Sequence, residues 1–274
     1  MVDIAKRFKI LDSLRWSKLE RSRYCASLTI PSLLPPQGWT EQSQLPQPFS
    51  SIPARGVTAM ASRMLSALLP LNDMPFFKFE MGSGIEPEVE VQVYLSNLSQ
   101  QVYTKLSAGN LRETIYQALQ HLIVIGDVCI IMDDDMNFRV VRLDRYVCRR
   151  DVYGEVEECI MVEYESLPEA MNSDDYLMSS SEGMDNRQGY KEVYMRIVVK
   201  DGVWTITRQD ADGNALQGGG EYTTPPFIML RWVGVPGENY GRSHCEDLIG
   251  DIKTLEGFTE GLINGVTAAS IFWM

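Results

Sequence analysis

The residues best suited to nucleophilic chemistry stand side by side at Ser243, His244 and Cys245. An imidazole next to a hydroxyl or a thiol is the pairing by which proteins activate a nucleophile. Consecutive residues of a helix point in different directions, however, and no acid that would orient His244 is evident. We therefore predict that Ser243 caps the N-terminus of a helix and that the run is not catalytic.

The acidic run Asp133, Asp134 and Asp135 could hold a divalent cation, because carboxylate oxygens are ligands that such ions prefer. The run lies between the apolar stretches CIIM and FRVV, which match in length and read as two paired strands. A solvated hairpin turn accounts for this position. We predict a turn there and keep a metal-dependent nuclease as an alternative hypothesis.

Two further motifs resemble binding loops without completing them. DADGN, at residues 210–214, faintly resembles a calcium-binding EF-hand loop but lacks the flanking helices, so we predict a hairpin turn with Gly213 at positive φ. GGGE, at residues 218–221, is not followed by the GK[ST] of a phosphate-binding loop. The sequence therefore predicts no enzyme, no cofactor and no metal site.

The balance of charge is acidic, with 37 Asp and Glu against 25 Lys and Arg and a formal net charge of −12. Tight non-specific binding of DNA needs cationic side chains that replace counterions, so the composition argues against it. Two groups of arginines could still meet phosphates or a partner's acidic patch, although ordinary solvated positions are the default expectation. They are Arg55 and Arg63 on one helix face, and Arg142, Arg145, Arg149 and Arg150 around a strand and its turn.

Length and composition fit an ordinary globular protein, with 274 residues of which 45% are hydrophobic. The five cysteines are odd in number and lack CxxC spacing, which favours a reducing compartment over a disulfide framework or a zinc site. The first residues, MVDIAKRFKILDSL, mix charges into the apolar pattern, unlike a signal peptide. No apolar run approaches the ~18 residues that span a bilayer. We expect a cytoplasmic origin and no membrane partner.

The first part of the chain has helical periodicity. Apolar residues recur at helical spacing in residues 3–28, where Asp3 is a candidate N-cap. Residues 55–69 and 88–126 are also predicted helices, the latter divided near SAGN, where Asn110 and Glu113 have capping-box spacing. FFKFE, at residues 76–80, predicts a short strand.

After Gly126 the apolar period changes to that of strands. The strand-like segments are VCIIMD, FRVVRL, ECIMVEYE, EVYMRIVVK, VWTITRQD and FIMLRWV, with turn sequences between them. Residues 168–189 are acidic and serine-rich, which predicts a mobile surface insertion. Helices, then an antiparallel β-rich block, then a long helix together indicate an α+β fold.

The long helix is predicted from Ser243 to Val266, and glycines recur inside it at a cost of roughly 1 kcal/mol each relative to alanine. One face carries an apolar stripe of Leu248, Ile252, Leu255, Leu262 and Val266, with Phe258 and Ile263 at its edges. The opposite face carries the glycine column Gly250, Gly257 and Gly261. Because glycines let backbones come close, we infer that neighbours press on more than one side of this helix.

The segment after the long helix, TAASIFWM, is apolar and aromatic. Such a surface needs a cover, either from another subunit or from further chain. We expect the natural polypeptide to continue.

Four ordered segments of the chain carry a family resemblance. They are RYCASLTIPSLLPPQGW, LPQPFSSIPARGVTAMASRMLSALLP, PFFKFE and YGRSHCEDLIGDIKTLEGFTEGLINGV. The first three resemble the N-terminal region, and the fourth a middle helix, of the head-to-tail connector (portal) proteins of short-tailed, T7-like phages. Members of that family are much longer, so the chain resembles roughly their N-terminal half, without the later part that lines the channel.

The resemblance implies a homo-oligomeric ring of about twelve subunits at one capsid vertex, through which double-stranded DNA passes without sequence-specific contacts. Residues 1–242 would form an outer wing, and residues 243–274 would begin a stem helix packed beside its copies, where the glycines permit crowding. The acids Glu246, Asp247, Asp251 and Glu260 then become candidate channel-facing residues that repel phosphate.

The resemblance also implies partners and a location. The partners would be the major capsid protein, scaffolding protein, terminase motor, tail adaptor protein and internal core proteins. The location would be the portal vertex of the virion, at the head–tail junction, after assembly in the host cytoplasm. Besides the nuclease, a monomeric structural adaptor whose long helix is merely external remains an alternative.

Overall fold

The computed structural model describes most of the chain. The described residues are 3–40, 43–70, 75–82, 88–133, 136–166 and 190–271. The predicted insertion at residues 168–189 lies outside them, as do Asp134 and Asp135.

Helix α1 spans Ile4–Ser27, close to the predicted first helix. Asp3 caps it, because its carboxylate accepts the backbone N–H of Lys6 at 3.1 Å. Ile4 and Leu11 are buried on its inner face and pack against strands of the larger sheet. The helix is therefore fixed both by its own start signal and by an apolar contact with the β-rich block.

Three more helices precede the strands. Helix α2 spans Ile52–Leu68, α3 spans Val89–Ala108 and α4 spans Leu111–Val124. Of the three, α4 is the most deeply buried, with residues from Ala118 to Val124 in the core. Helix α4 leads directly into the first strand and so positions the junction between helices and sheets.

The predicted capping box of Asn110 and Glu113 is wrong. Asn110 stands at the start of α4, but its side chain bonds a neighbouring strand instead of the helix. Its Nδ2 donates to the carbonyl oxygen of Phe138 at 2.6 Å, and its Oδ1 accepts the N–H of Phe138 at 2.8 Å. The side-chain amide of Asn110 satisfies backbone groups at the edge of a strand. The spacing of residues along the sequence does not reveal this tertiary contact.

The predicted strand at residues 76–80 is also wrong. The structure gives this segment an irregular course beside α3, with a bend at Phe76 and no ladder partner within the described residues. The N–H of Phe79 donates to Ser99 Oγ at 3.1 Å, and the rings of Phe76 and Tyr103 meet edge to face. The neighbour of this segment is helix α3 and not a strand. Aromatic contacts and a side-chain hydrogen bond therefore hold the segment instead of a β-ladder.

Two antiparallel sheets form the β-rich block, which confirms the α+β class. The smaller sheet has the order β2-β1-β8 and the larger β3-β4-β5-β6-β7. The strands are β1 Asp127–Met132, β2 Phe138–Val141, β3 Tyr146–Arg150, β4 Val156–Ser166, β5 Tyr190–Lys200, β6 Val203–Asp210, β7 Ala215–Tyr222 and β8 Phe227–Arg231. Strand β8, which follows the larger sheet in the sequence, pairs with β1, so that Cys129 lies between Val141 and Met229.

Sequence periodicity missed β3 and β7. The first three residues of β3 are all buried and its last two are arginines, so the strand has no apolar–polar alternation. Strand β7 contains Gly218, Gly219 and Gly220, a composition that is unfavourable in strands. Strand β3 is held by pairing with the longer strand β4, and β7 is held by pairing with β6.

The predicted hairpin turn at DADGN is confirmed, whereas of the run Asp133–Asp135 the described residues include Asp133 alone. Asp210 accepts the N–H of Asn214 at 2.7 Å, and Gly213 has φ +87° as predicted. The carboxylate of Asp210 forms an ion pair with Lys191 at 2.7 Å. This ion pair and the hydrogen bonds from Asn214 hold the pKa of Asp210 below its usual range. Asp133 likewise accepts the N–H of Asn137 at 2.8 Å, which closes the turn between β1 and β2.

The predicted single long helix is divided. Helix α5 spans His244–Asp247 and helix α6 spans Ile249–Ile271. Leu248 lies between them with φ −97° and ψ 6°, away from regular helical values. Helix α5 is held in the core by Cys245, which is buried, whereas α6 leads outward. The competing positions of the two segments interrupt what the sequence presents as one pattern.

Candidate functional site

The outer part of α6 exposes an apolar surface. Phe258 and Val266 are each 69% exposed, and Leu262 is 56% exposed. Of the predicted stripe, Ile252 and Leu255 are half-buried, whereas Leu248 before them is 41% exposed. A contiguous exposed apolar strip on a helix is typical of a surface that another protein covers.

The glycine column of α6 faces open space in the single chain. A Cβ built on Gly250, Gly257 or Gly261 would meet no heavy atom within 4 Å, leaving aside the helix's own backbone. The described part of the chain therefore offers no neighbour that requires glycine at these positions. Packing of the column against another copy stays a prediction.

The predicted channel-facing acids fall into two groups. Asp247, Asp251 and Glu260 are exposed, as such a role needs. Glu246 is not free, because Oε1 of Glu246 accepts from Arg242 Nη1 at 2.8 Å and lies 3.3 Å from Arg21 Nε. Glu246 therefore ties α5 to α1.

A buried polar cluster, which we call the root cluster, fixes the chain just before α5. It consists of Lys18 on α1, Asp127 at the start of β1, and the backbone of Gly241. The Lys18 ammonium donates to the carbonyl oxygens of Ile125 and Gly241. Both carboxylate oxygens of Asp127 accept the N–H of Gly241, at 2.9 and 3.0 Å. Each polar group thus has a partner, which buried charges require.

Burial dominates the electrostatics of the root cluster. It raises the pKa of Asp127 from 3.8 to about 6, although the neighbouring Lys18 and the Gly241 N–H favour the charged carboxylate. Burial also lowers the pKa of Lys18, against the opposing effect of Asp127. Burying the charged forms of Lys18 and Asp127 therefore costs free energy, and their mutual attraction offsets this cost only in part.

Close backbone contacts complete the root. Gly126 has φ +87°, and a Cβ there would lie 2.6 Å from the carbonyl carbon of Arg242. A Cβ on Gly241 would lie 2.6 Å from the carbonyl oxygen of Gly126. Tyr240 adds a further bond, since its hydroxyl accepts the N–H of Cys148 in β3 at 3.0 Å. Helix α1, both sheets and the entrance to α5 meet at this point.

The root cluster was not predicted from the sequence. Asp127 reads as the polar first residue of an apolar strand, and Lys18 reads as a solvated position of an amphipathic helix. The one available signal is the Gly126–Asp127 step directly after a helix, a place where backbone crowding is common. That signal does not identify the partner.

The residues that suggested nucleophilic chemistry have structural roles. Ser243 Oγ accepts the N–H of Glu246 at 2.9 Å, which confirms the predicted cap. Burial raises the pKa of the Cys245 thiol to about 12, so it is protonated and unreactive at neutral pH. His244 lies against the ring of Trp232, with centroids 5.9 Å apart. Burial also lowers the pKa of the other histidine, His121, to about 4 and keeps it neutral.

Within the described residues no group of three or more His, Cys, Asp or Glu side chains is placed to hold a metal ion. All five cysteines are free and buried. Asp133 is engaged by the backbone of its own turn. Its two acidic neighbours lie outside the described residues.

The predicted arginine group around β3 is engaged within the chain. Arg142 pairs with Asp144 at 2.7 Å, and Arg149 pairs with Glu157 at 2.6 Å. Arg145 lies over the ring of Tyr164, 4.3 Å from its centroid. Arg150 donates to the carbonyl oxygens of Asn239 and Gly154. The β3 group therefore stabilises the fold instead of forming a free phosphate-binding patch.

The other predicted arginines, Arg55 and Arg63, are exposed on α2.

Among the described helices, none combines the length and the apolar content that crossing a bilayer requires.

Comparison with known proteins supports the resemblance found in the sequence. Residues 2–272 match the family model described as bacteriophage head to tail connecting protein. The portal protein of Enterobacteria phage T3 is 26% identical over 260 residues, which cover 89% of this chain and 48% of the relative. The portal protein of Escherichia phage T7 is 26% identical over 261 residues, with the same shares covered.

A third relative, the portal protein of Pseudomonas phage phiKMV, is 26% identical over 277 residues, which cover 93% of this chain and 54% of the relative. The chain thus spans about half the length of the curated relatives it matches. Because the family model extends over nearly all of the sequence, the chain belongs to the bacteriophage head to tail connecting protein family.

Proposed function

We propose that the chain is part of a portal subunit that assembles into a ring of about twelve copies at one vertex of a phage capsid. In this proposal the ring passes double-stranded DNA during genome packaging and ejection and has no enzymatic activity of its own. Residues 1–242 form the wing and residues 243–274 begin the stem. The relatives named as portal proteins support the assignment.

The observation that carries the proposal is the exposed apolar strip of α6. Phe258, Leu262 and Val266 are more than half exposed in the single chain. Copies of α6 arranged side by side would bury this strip, and the open glycine column would allow their backbones to approach. Full burial of such a side chain contributes at most roughly 1.5–3 kcal/mol, so covering the strip favours association.

The acidic surface supports the passage of DNA. The net charge of −12 and the exposed carboxylates of Asp247, Asp251 and Glu260 give a wall of the same sign as the phosphates. DNA binds such a wall weakly, because binding is favoured when cationic side chains replace the counterions of the DNA, and carboxylates cannot do so. DNA can then slide without being held.

The proposed partners follow from the place of the ring. They are the major capsid protein, scaffolding protein, terminase motor, tail adaptor protein and internal core proteins, all at the head–tail junction of the virion. Assembly takes place in the host cytoplasm.

Native mass spectrometry of the purified protein, together with projection images of the particle vertex, tests the proposal. Discrete rings of about twelve copies are expected. Leu262→Gln should reduce ring yield, while Val152→Gln, which changes an 88% exposed residue in the turn between β3 and β4, serves as the control. The proposal would be refuted if the purified chain stayed monomeric and the images showed a vertex ring built from a different protein. That outcome would favour an adaptor module.

A further inference from the structure

Helix α6 leaves the body of the protein just after a fixed point. Ser243 is 1% exposed and Cys245 is 4% exposed, so α5 is held in the core. Ile249 and Ile252 still pack against that core from the first turns of α6. From Glu260 to Ser270 every residue is exposed. The helix is thus supported at its base and free along its outer half.

The junction between α5 and α6 has the properties of a hinge. Leu248 departs from regular helical φ and ψ, and its N–H is shared between the carbonyl oxygens of Glu246 and His244, the latter at 3.3 Å. Gly250 follows in the first turn of α6, with no neighbouring atom within 4 Å of an added Cβ. A glycine close to a residue with irregular helical dihedral angles lowers the resistance of the backbone to bending.

One side chain ties α6 to a segment that is distant in sequence. Glu256 Oε1 accepts the N–H of Phe49 at 2.6 Å, and Glu256 Oε2 accepts the N–H of Ser50 at 2.9 Å. Hydrogen bonds from two successive amides to one carboxylate are charge-assisted and directional. Phe49 and Ser50 lie immediately before α2, which begins at Ile52 and has no side-chain cap.

We propose that α6 is a lever hinged at Leu248–Gly250, and that Glu256 is the latch that sets its angle by holding the Phe49 and Ser50 amides. The latch couples the position of the segment before α2 to the direction in which the outer half of α6 points. When that segment moves, or when the two hydrogen bonds break, the packing of Ile249 and Ile252 still restrains the base of α6, but the outer half of the helix can change direction further. This device belongs to the single chain and does not depend on ring assembly.

Amide hydrogen exchange tests the latch directly. The peptide around Phe49 contains Pro46, Pro48 and Pro53, which have no amide hydrogen, so few amides contribute to its signal. Glu256→Ala should accelerate exchange of the Phe49 and Ser50 amides by at least about tenfold, as expected for the loss of charge-assisted bonds. Glu256→Gln keeps one acceptor and should give a smaller increase. Glu260→Gln, one turn further along, should leave exchange unchanged.

A distance measurement tests the lever. Spin labels on Ser17→Cys in α1 and Ala268→Cys in α6 can be placed selectively, because all five native cysteines are buried. Diluting labelled chain into unlabelled chain restricts the signal to pairs within one chain. The parent should show one narrow distance distribution, and Glu256→Ala should broaden it or shift it. Adding Gly250→Ala to Glu256→Ala should narrow the distribution again, because alanine stiffens the hinge.

Two results would overturn the proposal. Exchange at Phe49 and Ser50 that is the same in the parent, Glu256→Ala and Glu260→Gln would show that the carboxylate does not hold these amides. Accelerated exchange with an unchanged distance distribution would show that the contact exists but does not set the angle of α6.

Discussion

The ammonium nitrogen of Lys18 lies 3.4 Å from Oδ2 of Asp127, and the two side chains are only 6% and 4% exposed. This ion pair joins α1 to the start of β1, and both partners also bind the backbone of Gly241. The entrance to the long helix is therefore held by charged groups instead of by apolar packing alone.

Lys18→Met should strongly destabilise the fold. The change leaves the carbonyl oxygens of Ile125 and Gly241 without their donor and the Asp127 carboxylate without its counter-ion. Removing one partner of a buried pair costs about 3–5 kcal/mol in free energy of unfolding, which urea denaturation measures. Lys6→Met is the control, since Lys6 pairs with Asp3 while 82% exposed, and it should cost less than about 1 kcal/mol. Equal losses in the two variants would contradict the role of burial.

Asp127→Asn should remove one component of the pH dependence of stability. Because burial raises the pKa of Asp127 to about 6, the folded chain binds this proton more tightly than the unfolded chain does. This tighter proton binding adds about 3 kcal/mol in total to the free energy of unfolding. The added stability is fully present below about pH 4 and is lost as pH rises through about pH 6. Asparagine does not titrate, so the variant should lack this fall.

The measurement for Asp127→Asn is urea denaturation of the parent and the variant across about pH 4 to pH 7. Other titrating groups act in both chains and cancel in the difference. His121 is one of them, because its pKa of about 4 makes stability fall on acidification. Parallel pH profiles for the two chains would mean that Asp127 keeps an ordinary pKa.

Gly126→Ala should destabilise the root of the long helix through a steric clash. The backbone has φ +87°, and the new Cβ would lie 2.6 Å from the carbonyl carbon of Arg242. Gly213→Ala is the matched control, because Gly213 has the same φ with nothing within 4 Å. The control should lose about 1–2 kcal/mol from backbone strain alone. Gly126→Ala should lose about 1–3 kcal/mol more, and similar thermal denaturation of the two variants would refute the close approach.

Gly257→Leu should impair assembly more than folding. A Cβ at Gly257 would meet no heavy atom within 4 Å in the single chain, leaving aside the helix's own backbone, and replacing glycine in a helix recovers roughly 1 kcal/mol of helix propensity. Urea denaturation should therefore show no loss of stability, while native mass spectrometry should show a reduced yield of rings. Gly257→Ala adds little volume and is the control. A normal ring yield from Gly257→Leu would place the close helix contact elsewhere.

Much of the fold followed from local signals in the sequence. Asp3 was recognisable as a helix cap, and Asp210 and Gly213 as turn residues, because each acts on backbone within a few positions of itself. The alternating apolar residues of β4, β5 and β6 also predicted strands before any partner was known. Ser243 as the cap of α5 belongs to the same class. Such features depend on short-range hydrogen bonding and on the geometry of one element.

Where a side chain bonds across the fold, the sequence misled. Asn110 has the spacing of a capping residue but completes the edge of β2, and residues 76–80 have the composition of a strand but lie beside a helix. Strand β7 forms through its pairing with β6 despite three consecutive glycines. The hydrogen-bond partners of Asn110 and Phe79 lie 28 and 20 positions away in the sequence, and their positions are known only once the chain has folded. Strand β6 directly precedes β7, so there it is the backbone pairing of a hairpin, and not the composition of the strand, that determines the structure.

The sequence by itself determined the class of the fold, the family of the chain and the amphipathic character of its last helix, because periodicity and ordered motifs are properties of neighbouring residues. Only the tertiary structure decided that the helix breaks at Leu248, that Lys18 and Asp127 anchor its root, and that Glu256 reaches Phe49 and Ser50. The physical reason is that a buried charge or an unpaired amide must find a partner. Which partner it finds depends on the distances that packing creates.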